Sequence, residues 1–160
     1  MSGTPCRDAC DIEIAKRADG AGILFCTRAD GSQTWQKQKQ TTTAHFALHD
    51  FTHYAVETTL GYKRGFSGLI AEGWEIGQGR SGKLSDEAVE VDTLVGLFDR
   101  ERGGSGLLWT AEEFAAYSPQ PLTEEQLRAV RELRQRLFSQ WSEVAVGAKL
   151  ELAFGSGPDY

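Results

Sequence analysis

The chain has 160 residues, of which 40% are hydrophobic and 25% are charged, and 17 basic against 23 acidic groups give a formal net charge of −6. This is the composition of an ordinary soluble globular protein, and a chain of this length can bury a core that needs neither disulfides nor metal. The acidic balance argues against a nucleic-acid partner, because binding to phosphates depends on clustered lysine and arginine.

The overall pattern predicts a single domain over residues 1–160, with a flexible start over residues 1–10. No apolar stretch approaches the roughly 18 residues that a membrane span requires, and the first residues lack a signal pattern. We therefore expect a cytoplasmic protein without a membrane partner. In that compartment Cys6, Cys10 and Cys26 stay reduced, so no disulfide is predicted.

The first part of the chain predicts an antiparallel meander of three short strands between Asp11 and Gln40. Ile12 and Ile14 alternate with polar residues, an apolar run follows, and two Asp-Gly pairs supply turns between the strands. Residues 148–154 alternate in the same way, which predicts a last strand that returns to the meander.

Segments with helical spacing or capping signals lie between the strands, over about 44–60, 66–71, 86–102, 111–117 and 124–144. Gly61 is placed to end the first, Ser85 to cap the third, and Thr123 forms a capping box with Gln126 at the start of the last. The second is short, and its type stays open. The last shows the clearest apolar stripe and predicts a solvated face for its arginines 128, 131, 134 and 136. Together these elements predict an α+β fold in which four or five helices pack on a small, mainly antiparallel sheet.

All three histidines of the chain lie in the first predicted helix, at His45, His49 and His53. A spacing of four places them on one slowly turning stripe, which Glu57 continues and Asp50 borders. The segment 44–56 contains no Lys, Arg, Glu or Gln, so we expect a helix in the protein interior. Several buried imidazoles need partners for their nitrogen atoms, and a divalent transition metal, in the first place zinc, supplies one.

The core of this stripe, His49-Asp50-Phe51-Thr52-His53, reads H-D-x-x-H and resembles the H-E-x-x-H signature of zinc metallohydrolases. The resemblance covers five residues. It implies that His49 and His53 bind the metal and that Asp50, one methylene shorter than glutamate, is the base or orients a histidine. Such enzymes often take a third ligand from a later glutamate, and the candidate is Glu72, with eighteen residues between it and His53, and with Glu75 as its neighbour.

One helix cannot bring the whole stripe to one ion, because His45 and Glu57 are about 18 Å apart along the axis. Either one ion binds to His49 and His53 with a ligand from another segment, or two sites share the stripe, or the outer residues support the inner ones. The histidines could also be structural, or could transfer protons without a metal.

The function predicted from these residues is metal binding, with hydrolysis of a small-molecule substrate if the protein is an enzyme. The alternative is a non-enzymatic module that binds a small molecule or a partner and whose histidines organise a polar core. A further loop, 77–83, has the G-x-x-x-x-G-K spacing of a phosphate-binding loop, but Leu84 stands where such loops carry Ser or Thr. A flexible surface loop is therefore the preferred interpretation there.

Overall fold

The computed structural model describes residues 9–18, 22–37, 43–73, 85–103 and 108–154, with side chains described outside 36–37, 43–47 and 102–103. The loop 77–83 and residues 1–8 lie outside this part of the chain. The described strands are β1 (Cys10–Lys16), β2 (Gly22–Arg28), β3 (Gln33–Lys37) and β4 (Lys149–Phe154). The described helices are α1 (Thr43–Leu60), α2 (Phe66–Ala71), α3 (Asp86–Gly103), α4 (Ala111–Tyr117) and α5 (Glu124–Glu143). This is the predicted α+β arrangement, and none of the helices within these ranges is long and apolar enough to cross a membrane.

The four strands form one antiparallel sheet in the order β3-β2-β1-β4. β4 returns beside β1 with Ile12 opposite Leu152, as the alternation of residues 148–154 predicted. Because side chains alternate between the faces of a strand, Ile12, Ile14 and Cys26 share the inner face and are buried there.

Helix α1 contributes to both hydrophobic clusters of the described residues. Phe51 is fully buried in the cluster that lies on the sheet, where its ring packs edge to face against Trp141 of α5 at 5.6 Å. Ala55 and Val56, one turn later, belong to the second cluster together with residues of α3 and α5. The helix is therefore interior along this length, as its composition predicted.

Local signals in the sequence define where several helices begin and end. α1 stops at Gly61, whose φ of 73° is strained for other residues, and the N–H of Tyr62 closes the turn by donating to the carbonyl of Glu57 at 3.0 Å. The side chain of Ser85 accepts a hydrogen bond at the start of α3, and Thr123 opens α5 with a complete capping box. The predicted caps at Ser85 and Thr123 and the stop at Gly61 are confirmed.

The prediction of a solvated arginine face on α5 is wrong for Arg134, which is only 8% exposed. Its guanidinium donates to the carbonyl of Phe98 in α3 at 2.7 Å and lies over the rings of Phe98 and Phe138. Burial of a guanidinium costs little free energy where it stacks on aromatic rings and donates a hydrogen bond to a carbonyl. Helical spacing alone does not reveal that Phe98 of the neighbouring helix α3 supplies the carbonyl and one of the two rings.

Replacing Phe51 by alanine tests the packing of α1 on the sheet. We expect the free energy of unfolding to fall by about 3 to 5 kcal/mol, because a fully buried ring leaves a cavity between α1 and α5. Val89→Ala, which truncates an exposed side chain of α3, is the control and changes it by less than about 0.5 kcal/mol. Chemical denaturation measures both; equal effects would contradict the described packing.

Candidate functional site

Helix α1 carries His49, His53 and Glu57 on one face at successive turns, and burial increases along this row. The side chain of His49 is 30% exposed, that of His53 is 13% exposed, and Glu57 is fully buried. The two imidazole rings meet edge to face with their centres 4.8 Å apart. For these three residues the predicted stripe therefore exists, and it brings two histidines into direct contact.

His49 is paired with Asp99, a residue of α3. Nδ1 of His49 lies 2.7 Å from Oδ2 of Asp99, and since a carboxylate oxygen only accepts, the imidazole is the donor. This hydrogen bond raises the pKa of His49 against the opposing effect of burial, and the negative charges of Asp99, Asp50 and Asp92 raise it further. The contact thus places a proton of His49 on Nδ1, toward Asp99, and raises the pKa of the ring.

His53 occupies a more enclosed position between Glu57 and the ring of Phe66 in α2. Its ring packs edge to face on Phe66 with 4.8 Å between centres. Nδ1 of His53 lies 3.5 Å from Oε2 of Glu57, too far for a good hydrogen bond, and neither buried atom has a hydrogen-bond partner among the described residues. Unpartnered buried polar atoms are costly to stability, so this pair is a notable feature of the interior.

The other oxygen of Glu57 is held by the start of α2. Oε1 accepts a hydrogen bond from the backbone N–H of Ser67 at 2.8 Å. Gly65 lies against the same carboxylate so closely that a Cβ there would be 2.4 Å from Oε1. The turn between α1 and α2 is therefore shaped around the Glu57 side chain, and only glycine fits at residue 65 without displacing it.

The remaining predicted site residues lie elsewhere or outside the described side chains. The side chain of His45 and all of Glu75 are outside the described part of the chain. Glu72 ends α2 at the surface, where it accepts from Nε of Arg64 at 3.0 Å. Among the described residues, no three or more His, Cys, Asp or Glu side chains form a group that could hold a metal ion.

Asp50 follows His49 in the chain and is half-buried, and its charge also affects the Cys26 thiol of the sheet. Burial raises the pKa of the Cys26 thiol in β2 to about 12, and the charges of Cys10 and Asp50 add to the shift. Cys10 and Cys26 are free thiols, as predicted. With such raised pKa values they are poor nucleophiles and poor metal ligands at neutral pH.

Asp99, the carboxylate that is hydrogen-bonded to His49, is not among the site residues that the sequence pattern predicts. One signal was available: Asp92 and Asp99 are seven residues apart, so both lie on the same side of α3, next to its apolar stripe. Nothing in the spacing indicated that this side of α3 faces the histidines of α1.

Comparison with known proteins gives no match: no family model fits the chain, and neither a curated protein nor a solved structure is significantly similar to it.

The His49–Asp99 contact predicts a pH-dependent contribution to stability. The folded-state pKa of His49 is raised, so the contact contributes fully below the ordinary histidine pKa of about 6.5 and is lost as the pH rises through the raised value. Asp99→Asn removes this part of the pH dependence, whereas Asp92→Asn, which removes an exposed charge with only the smallest effect on His49, keeps most of it. Urea unfolding at a series of pH values measures the difference; parallel curves for wild type and Asp99→Asn would contradict the assignment.

Proposed function

We propose that His49 and His53 bind one divalent transition-metal ion, in the first place zinc, through their Nε2 atoms. The observation that carries this proposal is the direction of the two rings: each turns its Nδ1 toward a carboxylate, Asp99 in one case and Glu57 in the other. Metal-binding histidines commonly direct one ring nitrogen to a carboxylate and use the other for the metal. Nε2, on the opposite side of each ring, is the atom that we propose as the metal ligand.

The distance between the rings is compatible with a shared ion. Zinc binds imidazole nitrogen at about 2.0–2.1 Å, so two nitrogen ligands of one ion are roughly 3.4 Å apart. The ring centres of His49 and His53 are 4.8 Å apart on successive turns of one helix. Neutral imidazole at such spacing is a suitable ligand pair for zinc and its neighbours.

The activity that we propose for such a site is hydrolysis of a small-molecule substrate. A metal ion that is held by only two side chains has coordination positions left for other ligands, and it would activate a water molecule. The motif assigns the role of base to Asp50, and Asp99 provides a second carboxylate beside His49. Partial exposure of His49 gives a ligand a route to this end of the stripe.

A second candidate function, proton transfer without a metal, is favoured by the His49–Asp99 pair itself. A partly exposed imidazole that a carboxylate orients is a common general acid or base. This candidate requires His49 and Asp99 but not His53, so the two proposals differ in the residue they need.

Zinc titration of the metal-free protein by calorimetry tests the metal proposal. We expect one zinc ion per chain, and we expect His49→Ala or His53→Ala to weaken binding at least tenfold, because each removes one of two protein ligands. Asp99→Asn disturbs the orientation of His49 but removes no ligand, so it weakens zinc binding by no more than about 10- to 100-fold.

Glu72→Gln is the matched control and also decides the predicted third ligand. If Glu72 only forms its surface ion pair with Arg64, Glu72→Gln leaves zinc affinity unchanged. A loss of zinc affinity as large as that in His53→Ala would add Glu72 to the ligand set. Zinc binding that persists at wild-type strength in the double variant His49→Ala/His53→Ala would overturn the metal proposal.

A further inference from the structure

We infer that Glu57 is a positioning residue that selects the tautomer of His53, placing the ring proton on Nδ1 and the lone pair on Nε2. It does so through Oε2, while Oε1 is fixed by the backbone of Ser67. Glu57 selects this tautomer in the folded protein without any ligand, and only the effect on metal binding rests on the proposed function.

The two carboxylate oxygens of Glu57 are in different situations. Oε1 is committed to the Ser67 N–H at 2.8 Å, whereas Oε2 faces Nδ1 of His53 at 3.5 Å and has no hydrogen-bond partner among the described residues. A neutral imidazole carries a proton on one nitrogen and a lone pair on the other, and a carboxylate oxygen only accepts. A proton on Nδ1 is attracted by Oε2, whereas a lone pair there is repelled in this water-poor position.

The surrounding chain holds both groups in place. Gly65 leaves no space on the far side of the carboxylate, since a Cβ there would approach Oε1 to 2.4 Å. The hydrogen bond from Tyr62 N–H to the Glu57 carbonyl closes the turn that brings Gly65 to this position. On the other side, the ring of Phe66 packs on His53 and restricts its rotation. The orientation of His53 is thus set before any ligand binds.

This arrangement prepares His53 for the role proposed above. With the proton on Nδ1, Nε2 carries the lone pair that a metal ion requires. The gain in metal affinity rests on the proposed function, but the tautomer itself does not, so the two statements can fail separately.

Nitrogen-resolved NMR of the histidine side chains, in metal-free protein at alkaline pH, tests the tautomer directly. We expect the wild type to carry the His53 proton on Nδ1. In Glu57→Gln the amide oxygen keeps the acceptor position at Ser67, which turns the amide NH₂ toward His53. A donor at that position needs the lone pair on Nδ1, so the proton moves to Nε2. His49, whose partner is Asp99, stays unchanged and is the internal control.

A second variant displaces the Glu57 carboxylate through a change in the turn between α1 and α2. Gly65→Ala displaces Glu57 and weakens the preference of His53, whereas Gly96→Ala, where a Cβ meets nothing within 4 Å, leaves both histidines unchanged. A wild-type spectrum with the His53 proton on Nε2 would overturn the inference, and this measurement needs no variant.

Zinc titration of the same variants separates the two proposals. If the metal site exists, Glu57→Gln lowers zinc affinity tenfold or more. A tautomer change in Glu57→Gln in a protein that binds no zinc supports the role of Glu57 and rejects the metal site. Undiminished zinc binding together with an unchanged His53 tautomer in folded Glu57→Gln rejects the role of Glu57 and leaves the metal site in place.

Discussion

The burial of α1 between the sheet and the other helices is the constraint on which the rest of the structure depends. Phe51 packs on the sheet side and Val56 in the second cluster, so this helix is shared by both apolar clusters. The polar side chains on the buried faces of such a helix cannot reach bulk water, so they need partners inside the protein. The positions of Asp99 and of the α2 turn follow from that need.

Burial differs along the stripe, and the difference separates the roles of its members. His49, at the more exposed end, is hydrogen-bonded to Asp99, and this contact raises its pKa. His53 is more enclosed and is held between a carboxylate and an aromatic ring. Glu57, at the closed end, also supplies the hydrogen bond that begins α2. One end of the row is thus partly exposed to solvent, while the other end is part of the folded core.

The contacts around Glu57 and His53 are not those that would give the greatest stability. A fully buried carboxylate oxygen and a buried imidazole nitrogen face each other without a hydrogen bond, although apolar side chains could occupy the same volume. Features of this kind are concentrated at functional sites, where a group is kept ready for a ligand instead of being satisfied within the fold. The fit of Gly65 against the same carboxylate indicates that the local backbone is adapted to keep it there.

Local signals in the sequence determined most of the elements. The four-residue spacing of the histidines, the stop at Gly61 and the capping box at Thr123 act within one or two turns of chain, so they could be predicted without a fold. Asp99 as the partner of His49, and the carbonyl that buries Arg134, could not. These contacts join residues 50 and 36 positions apart, and they depend on how α3 packs against α1 and α5. Periodicity predicts which face of its own helix a side chain occupies. Only tertiary packing decides which residues of other elements lie opposite that side chain, and therefore which of its atoms carry a proton.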